Sequence, residues 1–557
     1  MAFVQILFLV VAAIAGNWLY GIYSNYLTAR KTGLRIIFSP ITPFQLLWHL
    51  LPSFIPSLLK RQRWFRALDQ GLSWQDKNKL HQELGSSFIM VSPGMNMLCT
   101  SDPAALNHVY KNMKDFVKPE VFKNLDLFGP NIITVNDEAW MRHRKLTAPC
   151  FNERISTFVW DESLRQAKDM LEDWLAKPDG KSNTVVDDSG IIALHVIAAA
   201  SFGEHHDFRE DTSVLAQNHK LSFRDALKIV LRSPILAATV VGMPWLKKSL
   251  IQPILPTEVR GVQLALAEFR SYMNEAIARE RAGENTSVLN RPNLLHALVK
   301  ASDEVKAEQG MKSSAYMSDD EMTGNMFMFA FAGHETTATA ISYALALLAL
   351  HPAAQDWVAE ELAQVITSAD STDYAKVYPK LKRTLAVMYE TVRLFGVPPP
   401  WRDIACKDAQ ILITSPKKGS DGAPTYLPVP ANTQVSLNVF ACHTAPENFV
   451  DAEKWEPGRW IQREKGGVEE QLVTGNRAFF GWGTGPRICP GQKFAQVEFV
   501  AVLATLLTNY KVVPAAKNNV SEDVAREEMQ EMIAGSTARM VVNLVEPEKL
   551  WIRLVKR

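Results

Sequence analysis

The run Trp482-Gly483-Thr484-Gly485-Pro486-Arg487-Ile488-Cys489-Pro490-Gly491 constrains this chain more than any other stretch. Three glycines and two prolines bend the backbone around one cysteine, and an arginine stands two residues before it. Glycine reaches backbone angles that other residues resist, so such a loop can wrap closely around a sulfur and whatever the sulfur holds. The following residues, Gln492 to Val500, read as the start of an apolar helix. A cysteine just ahead of a helix N-terminus has its thiolate favoured by the dipole and by backbone N–H groups. The alternative reading of Cys489 is a buried structural thiol in a turn, since free cysteine is often just a small core residue.

A thiolate held this way suits the axial position of a haem iron. The spacing Gly-x-Gly-x-Arg-x-Cys-x-Gly resembles the haem-binding loop of the cytochrome P450 family. There an aromatic residue opens the loop and the cysteine ligates iron. Trp482 stands where that family usually has phenylalanine. The resemblance implies haem b as cofactor and Cys489 as its metal ligand. It also implies Trp482 over the proximal face of the porphyrin and Arg487 as a partner for one propionate.

Met317 to Leu350 predicts one long helix, with Ser318 and Glu321 as a capping box at its start. Ala332-Gly333-His334-Glu335-Thr336-Thr337 interrupts its apolar run. A mid-helix glycine costs about 1 kcal/mol relative to alanine. Two β-branched threonines add strain, and a threonine hydroxyl can bond a carbonyl one turn earlier. A local break with room for a small ligand is expected there. An acid beside an alcohol suits proton delivery. The segment resembles the family's oxygen-binding helix, which implies that Glu335 and Thr336 are the catalytic pair. His143 and His334 read as polar neighbours, since the fifth ligand position belongs to sulfur.

Glu390 and Arg393 lie at i and i+3, on one helical face. They precede a proline-rich turn, as the family's Glu-x-x-Arg helix does. Trp455-Glu456-Pro457-Gly458-Arg459-Trp460 resembles its aromatic-x-Pro-x-Arg-aromatic segment. Glu390, Arg393 and Arg459 are therefore expected to form a structural network. Trp140 and Arg144 lie four apart and resemble the family's Trp-x-x-x-Arg helix, which implies a propionate contact. Arg402 is a further propionate candidate.

The first charged residue is Arg30. Ala2 to Tyr23 is mostly apolar and spans about 33 Å as a helix, enough to cross a bilayer. Trp18, Tyr20 and Tyr23 fit an interfacial belt, and Arg30, Lys31 and Arg35 follow it. Ala13-Ile14-Ala15 offers a signal-peptide cleavage site. The positive cluster nevertheless lies behind the apolar run and not ahead of it, which favours an anchor and a cytosolic body. Asn285-Thr286-Ser287 and Asn519-Val520-Ser521 match the glycosylation pattern, unused in a cytosolic body. Ile37 to Leu59, broken by four prolines, reads as a segment at the membrane interface.

Sixty basic and 59 acidic residues nearly cancel, which gives no support to nucleic-acid binding. Five scattered cysteines form neither a disulfide framework nor a zinc pattern. Most of the chain up to Arg393 reads as long helices, with strands around Gln410 to Thr414 and a turn at Lys417 to Gly422. The expected fold is mainly α with a minor β region, a P450-like haem-thiolate fold preceded by a transmembrane helix. The expected layout is an anchor over 1–29, a membrane-proximal linker over 30–60 and a monooxygenase domain over 61–557.

The resemblance is to membrane-anchored microsomal members, fungal enzymes of specialised metabolism among them. It implies insertion of one oxygen atom from O2 into a lipophilic substrate. Electrons would come from NADPH through a cytochrome P450 reductase, with cytochrome b5 as a second donor, at the endoplasmic reticulum membrane. The reductase would dock around Trp482 and Lys493. The pocket would be lined from 116–134, 207–256, 327–331, 397–400 and near 535–536. Two rivals stand beside this reading: a reductase-independent haem-thiolate isomerase or dehydratase, and a non-catalytic haem sensor.

Overall fold

A computed structural model describes every residue except 1, 44–56, 210–217, 249–250, 284–292, 311–314, 368–371, 399, 406–408, 415–423, 431, 464–468 and 519. Most of the 37–59 segment, the turn at 417–422, Cys406, the 285–287 sequon and Asn519 lie outside the described residues.

The chain divides into two compact units. The first comprises Met1–Pro119, Ala386–Cys489 and Glu527–Glu546. It opens with the helix Ala2–Arg30, whose stretch from Phe3 is long and apolar enough to cross a membrane and is exposed along that window. Its C-terminal end packs on the turn after Val91. Asn25 donates to the Ser92 carbonyl at 2.8 Å, and Asn96 donates back to the Asn25 carbonyl at 3.1 Å.

This unit is built on a six-stranded sheet. Its order is Arg35–Phe38, Ser87–Val91, Asn96–Thr100, Thr433–Leu437, Trp401–Ile404 and Phe116–Val117. The first two strands run parallel, as do the third and fourth. Strands 87–91, 96–100 and 433–437 are buried at every residue. The register sets Val435 beside both Leu98 and Arg402. Phe65, Leu68, Leu80 and Leu84 pack with Phe88, Met90 and Met97 in its core.

The stretch up to Arg393 is mostly helical, as expected, and the strands at 35–38, 87–91, 96–100, 116–117 and 181–182 add sheet that was not located from the sequence. A strand covered on both faces reads as a continuous apolar run, without the alternation that betrays a half-buried one. The strand Gln410–Thr414 forms as expected and pairs antiparallel with Pro424–Pro428.

The second unit comprises Glu120–Leu385, Pro490–Arg526 and Pro547–Arg557 and is largely helical. Its axis is the 32-residue helix Asp319–Leu350, opened by a complete Ser318/Glu321 capping box. The helix Val185–Phe202 packs along it, and Glu153–Ala176 packs on Gln492–Leu507. Val185–Phe202 is also apolar enough to span a bilayer. However, 78% of that window is buried inside the protein, so it is a core helix. A small sheet of Tyr510–Ala515, Trp551–Lys556 and Lys181–Ser182 closes this unit.

Candidate functional site

Four of the five cysteines are described, and they divide cleanly. Cys99, Cys150 and Cys442 are buried, whereas Cys489 is exposed. Burial pushes the Cys99 and Cys150 thiols up to about 12 and raises Cys442 well above its ordinary value. Those three are inert thiols at neutral pH.

The backbone of the cysteine loop explains its residues. Gly485 has φ +71°, and a Cβ there would stand 2.8 Å from the Tyr110 carbonyl oxygen. Both facts exclude a larger residue. The Cys489 N–H donates to the Trp482 carbonyl at 3.0 Å, which closes the loop around the sulfur. Three residues further along the chain the helix Gln492–Leu507 begins. Trp482 is half-buried, its ring 4.9 Å from that of Tyr389 and 5.8 Å from that of Phe479.

Behind the loop stands an ion cluster whose central pair, Glu390 and Arg393, is fully buried. Arg393 and Glu390 pair through two bonds of 2.9 and 2.8 Å. Arg459 donates to Glu390 at 2.9 Å, and so does the Trp460 indole. The remaining Arg393 protons go to the carbonyls of His443, Ala452 and Lys454. The structure thus brings Glu390, Arg393 and Arg459 together, with every donor of the planar fork used.

His443, missed from the sequence, ties this cluster to the loop. Its Nδ1–H donates to the Arg393 carbonyl at 2.9 Å, and its Nε2 accepts the Phe480 N–H at 2.9 Å. Burial pushes its imidazole down to about 3, so it stays neutral and keeps the acceptor this link needs.

Arg402 is buried, donates to the Trp401 carbonyl at 2.7 Å and lies 5.8 Å from the Tyr110 ring. Lys118 sits in the electrostatic field of both Arg402 and Arg487. Burial, then Arg402, then Arg487 lower its ammonium well below the ordinary value. Three cations gathered at one place suit a group bearing two carboxylates. Lys118 falls within the 116–134 stretch expected to line the pocket, but it was not legible as a partner of Arg402 and Arg487. One lysine after a two-residue strand has no sequence signal, and only the sheet brings it beside Arg402.

The second unit holds the other candidates. Thr336 donates to the Ala332 carbonyl at 2.8 Å, the back-bond expected of it. The expected break is absent, because helical structure runs unbroken through Gly333 to Thr337. What changes is exposure. From Met322 the helix is buried residue after residue to Phe331; then Ala332 is exposed and Gly333 to Thr336 are half-buried. Flanking turns packed on neighbouring helices hold the backbone helical despite the glycine. Burial raises the Glu335 carboxyl above its usual range. Burial also pushes His334 down to about 4, against the Gly190 backbone contact, so it is a neutral neighbour.

Trp140 is buried and Arg144 half-buried on the helix Asp137–Thr147. Arg142, on the same helix, pairs with Glu321 and donates to the Tyr316 carbonyl at 2.8 Å. His143 meets Glu321 at 3.2 Å.

A family model described as cytochrome P450 matches residues 56–529. A cytochrome P450 monooxygenase of Arthrobotrys oligospora is 28% identical over 97% of this chain and 96% of its own. The phomenoic acid biosynthesis cluster cytochrome P450 monooxygenase of Leptosphaeria maculans is 29% identical over 92% of both chains. Cytochrome P450 monooxygenase 124 of Postia placenta is 30% identical over 76% of this chain and 77% of its own.

Proposed function

The chain belongs to the cytochrome P450 family of monooxygenases, and on that premise we propose that it oxidises a lipophilic small molecule of fungal specialised metabolism. The observation that carries the assignment is the contrast among its thiols. Cys489 alone of the described cysteines is exposed, on a glycine loop closed around it.

The family is one of haem-thiolate enzymes, and the described residues fit haem b. Cys489 offers the soft ligand and Trp482 an aromatic surface beside it. Lys118, Arg402 and Arg487 offer the cations that two propionates require, with Trp140 and Arg144 as further partners. Bound there, haem supplies oxygen activation and transfer of one oxygen atom to the substrate.

The protein's own contribution is positional and acid–base. Glu390, Arg393, Arg459 and His443 hold the sulfur loop without taking part in chemistry. Glu335 keeps its proton to higher pH than an ordinary carboxyl, and Thr336 presents a hydroxyl beside it. Together they pass protons inward from water. The Ala2–Arg30 helix anchors the protein in the endoplasmic reticulum membrane, with the body cytosolic because Arg30, Lys31 and Arg35 follow the span. Residues 30–60 form the membrane-proximal link and 61–557 the catalytic body. Electrons come from an NADPH-dependent cytochrome P450 reductase, with cytochrome b5 as a second donor. Lys493 belongs to the docking face for the reductase, and the substrate pocket is apolar.

The reduced carbon monoxide difference spectrum tests this reading. The wild type should give the Soret band of thiolate-ligated haem, and Cys489→Ala should lose it. A wild-type band at the position of imidazole-ligated haem sinks the assignment. Product formed without NADPH would favour an isomerase or dehydratase instead.

A further inference from the structure

A buried chain of hydrogen bonds runs through Asn325 on the long helix Asp319–Leu350. Its Oδ1 accepts the Ile132 N–H at 2.9 Å. That contact fixes the amide's orientation, so Nδ2 is the atom facing His143. Nδ2 donates to His143 Nδ1 at 2.9 Å and to the Glu321 carbonyl at 2.7 Å. An accepting Nδ1 puts the imidazole proton on Nε2, which meets Glu321 Oε1 at 3.2 Å. The same carboxylate pairs with Arg142 and takes the Ser318 N–H at 2.9 Å. Asn325 and His143 are wholly buried.

The loop before Ile132 is clamped on the same turn. A Cβ on Gly324 would stand 2.4 Å from the Gly129 carbonyl oxygen and 2.9 Å from that of Pro130. Arg270 donates to the Phe128 carbonyl at 2.9 Å and pairs with Asp320. Backbone therefore lies directly on backbone, and Asn325 and Arg270 tie the Ile132 N–H and the Phe128 carbonyl of the loop to their own helices. On the helix side, Trp140 and Arg144 ride on the same short helix as Arg142 and His143.

We propose that Asn325 is a positioning residue that holds the pocket loop 128–134 and the helix Asp137–Thr147 in one register on the long helix. The contents of the pocket are thereby coupled to the grip on the haem carboxylates. This rests on the reading above that 128–134 lines the pocket and that Trp140 and Arg144 hold a propionate.

The test uses the full-length holoenzyme and three readouts: the carbon monoxide spectrum, Soret-shift titrations with imidazole and 4-phenylimidazole, and the rate of haem release to excess apomyoglobin. Asn325→Leu keeps the branched outline of the side chain, adds some volume and strips every bond of the amide. It should change the affinity ratio of the two azoles about tenfold and speed haem release about tenfold, the cost of leaving buried groups unmet. Asn325→Ser, too short to reach both partners, gives the same pair of effects if the leucine variant fails to fold. His143→Leu cuts only the helix arm, so it should speed haem release while the azole ratio stays within about twofold of wild type. A folded Asn325 variant that leaves either readout within twofold of wild type overturns the proposal. So does a His143→Leu variant that moves the azole ratio as far as Asn325→Leu. Arg144→Leu separates the two readings. If it releases haem at the wild-type rate, the role of that helix fails, while the azole ratio still judges the loop arm.

Discussion

Glu335 and Lys118 are costly residues, each kept against the preference of its surroundings. Burial raises the Glu335 carboxyl, so its charged form costs stability. That cost begins above the unfolded carboxyl value, about 4.3, and is complete above the folded one. Calorimetry should find Glu335→Gln more stable than the parent at pH 7 and equal to it near about pH 4. Its NADPH-driven product formation should fall about a hundredfold while the carbon monoxide complex forms normally. Lys118 has the opposite charge and the same logic. A lysine pushed down by burial and two arginines costs stability at every pH below its unfolded value of about 10.4. Haem-free Lys118→Met should therefore melt at a higher temperature than the parent at neutral pH. The loaded variant should release haem faster, measured by transfer to apomyoglobin. Equal melting and equal release would remove Lys118 from the site.

At the scale of single elements, the long helix is set at its first turn. Glu321 caps Ser318 and meets His143 and Arg142 at once. Burial alone would raise its carboxyl, but the bonds from His143 and Ser318 and the charge of Arg142 outweigh it and bring the carboxyl down to about 2. A depressed carboxylate contributes stability above its unfolded value, about 4.3, that is lost as pH falls toward the folded one. Urea midpoints measured at falling pH should show Glu321→Gln less stable than the parent at pH 7, with the gap closing between about pH 4.5 and 2. A constant gap would mean that the carboxylate is not what caps the helix. Gly333 marks the limit of local reasoning at this scale. It predicts a break, yet the surrounding turns are packed, and packing outweighs a propensity cost of about 1 kcal/mol.

Across the whole molecule, the N-terminal helix does two things along its length. The stretch from Phe3 is exposed, whereas Trp18 donates to the Pro40 carbonyl at 3.0 Å and Asn25 is buried against the turn at Ser92. Deleting residues 2–17 should shift the protein from membranes toward the supernatant and leave its melting temperature within about 2 °C of the parent. Deleting 2–30 also removes the bonds of Trp18, Asn25 and Thr28, at about 1 kcal/mol each, and should lower it by about 3 °C more than the shorter deletion does. Equal melting of the two truncations would show that the helix adds nothing to the body.

The cysteine loop, the Glu335–Thr336 pair, the Glu390–Arg393 face and the apolar N-terminus were legible because each is a local pattern. Loop glycines, helical spacing and a run of apolar residues act over fewer than about 30 positions. The buried strands and the roles of Lys118, His443 and Asn325 were not. Their meaning comes from partners far away in the chain: Val435 for Leu98, Arg402 for Lys118, Phe480 for His443, Ile132 for Asn325. A hydrogen bond or a buried charge is worth what its surroundings make it. Local chemistry therefore determined which groups this protein offers, and only folding decided which of them meet.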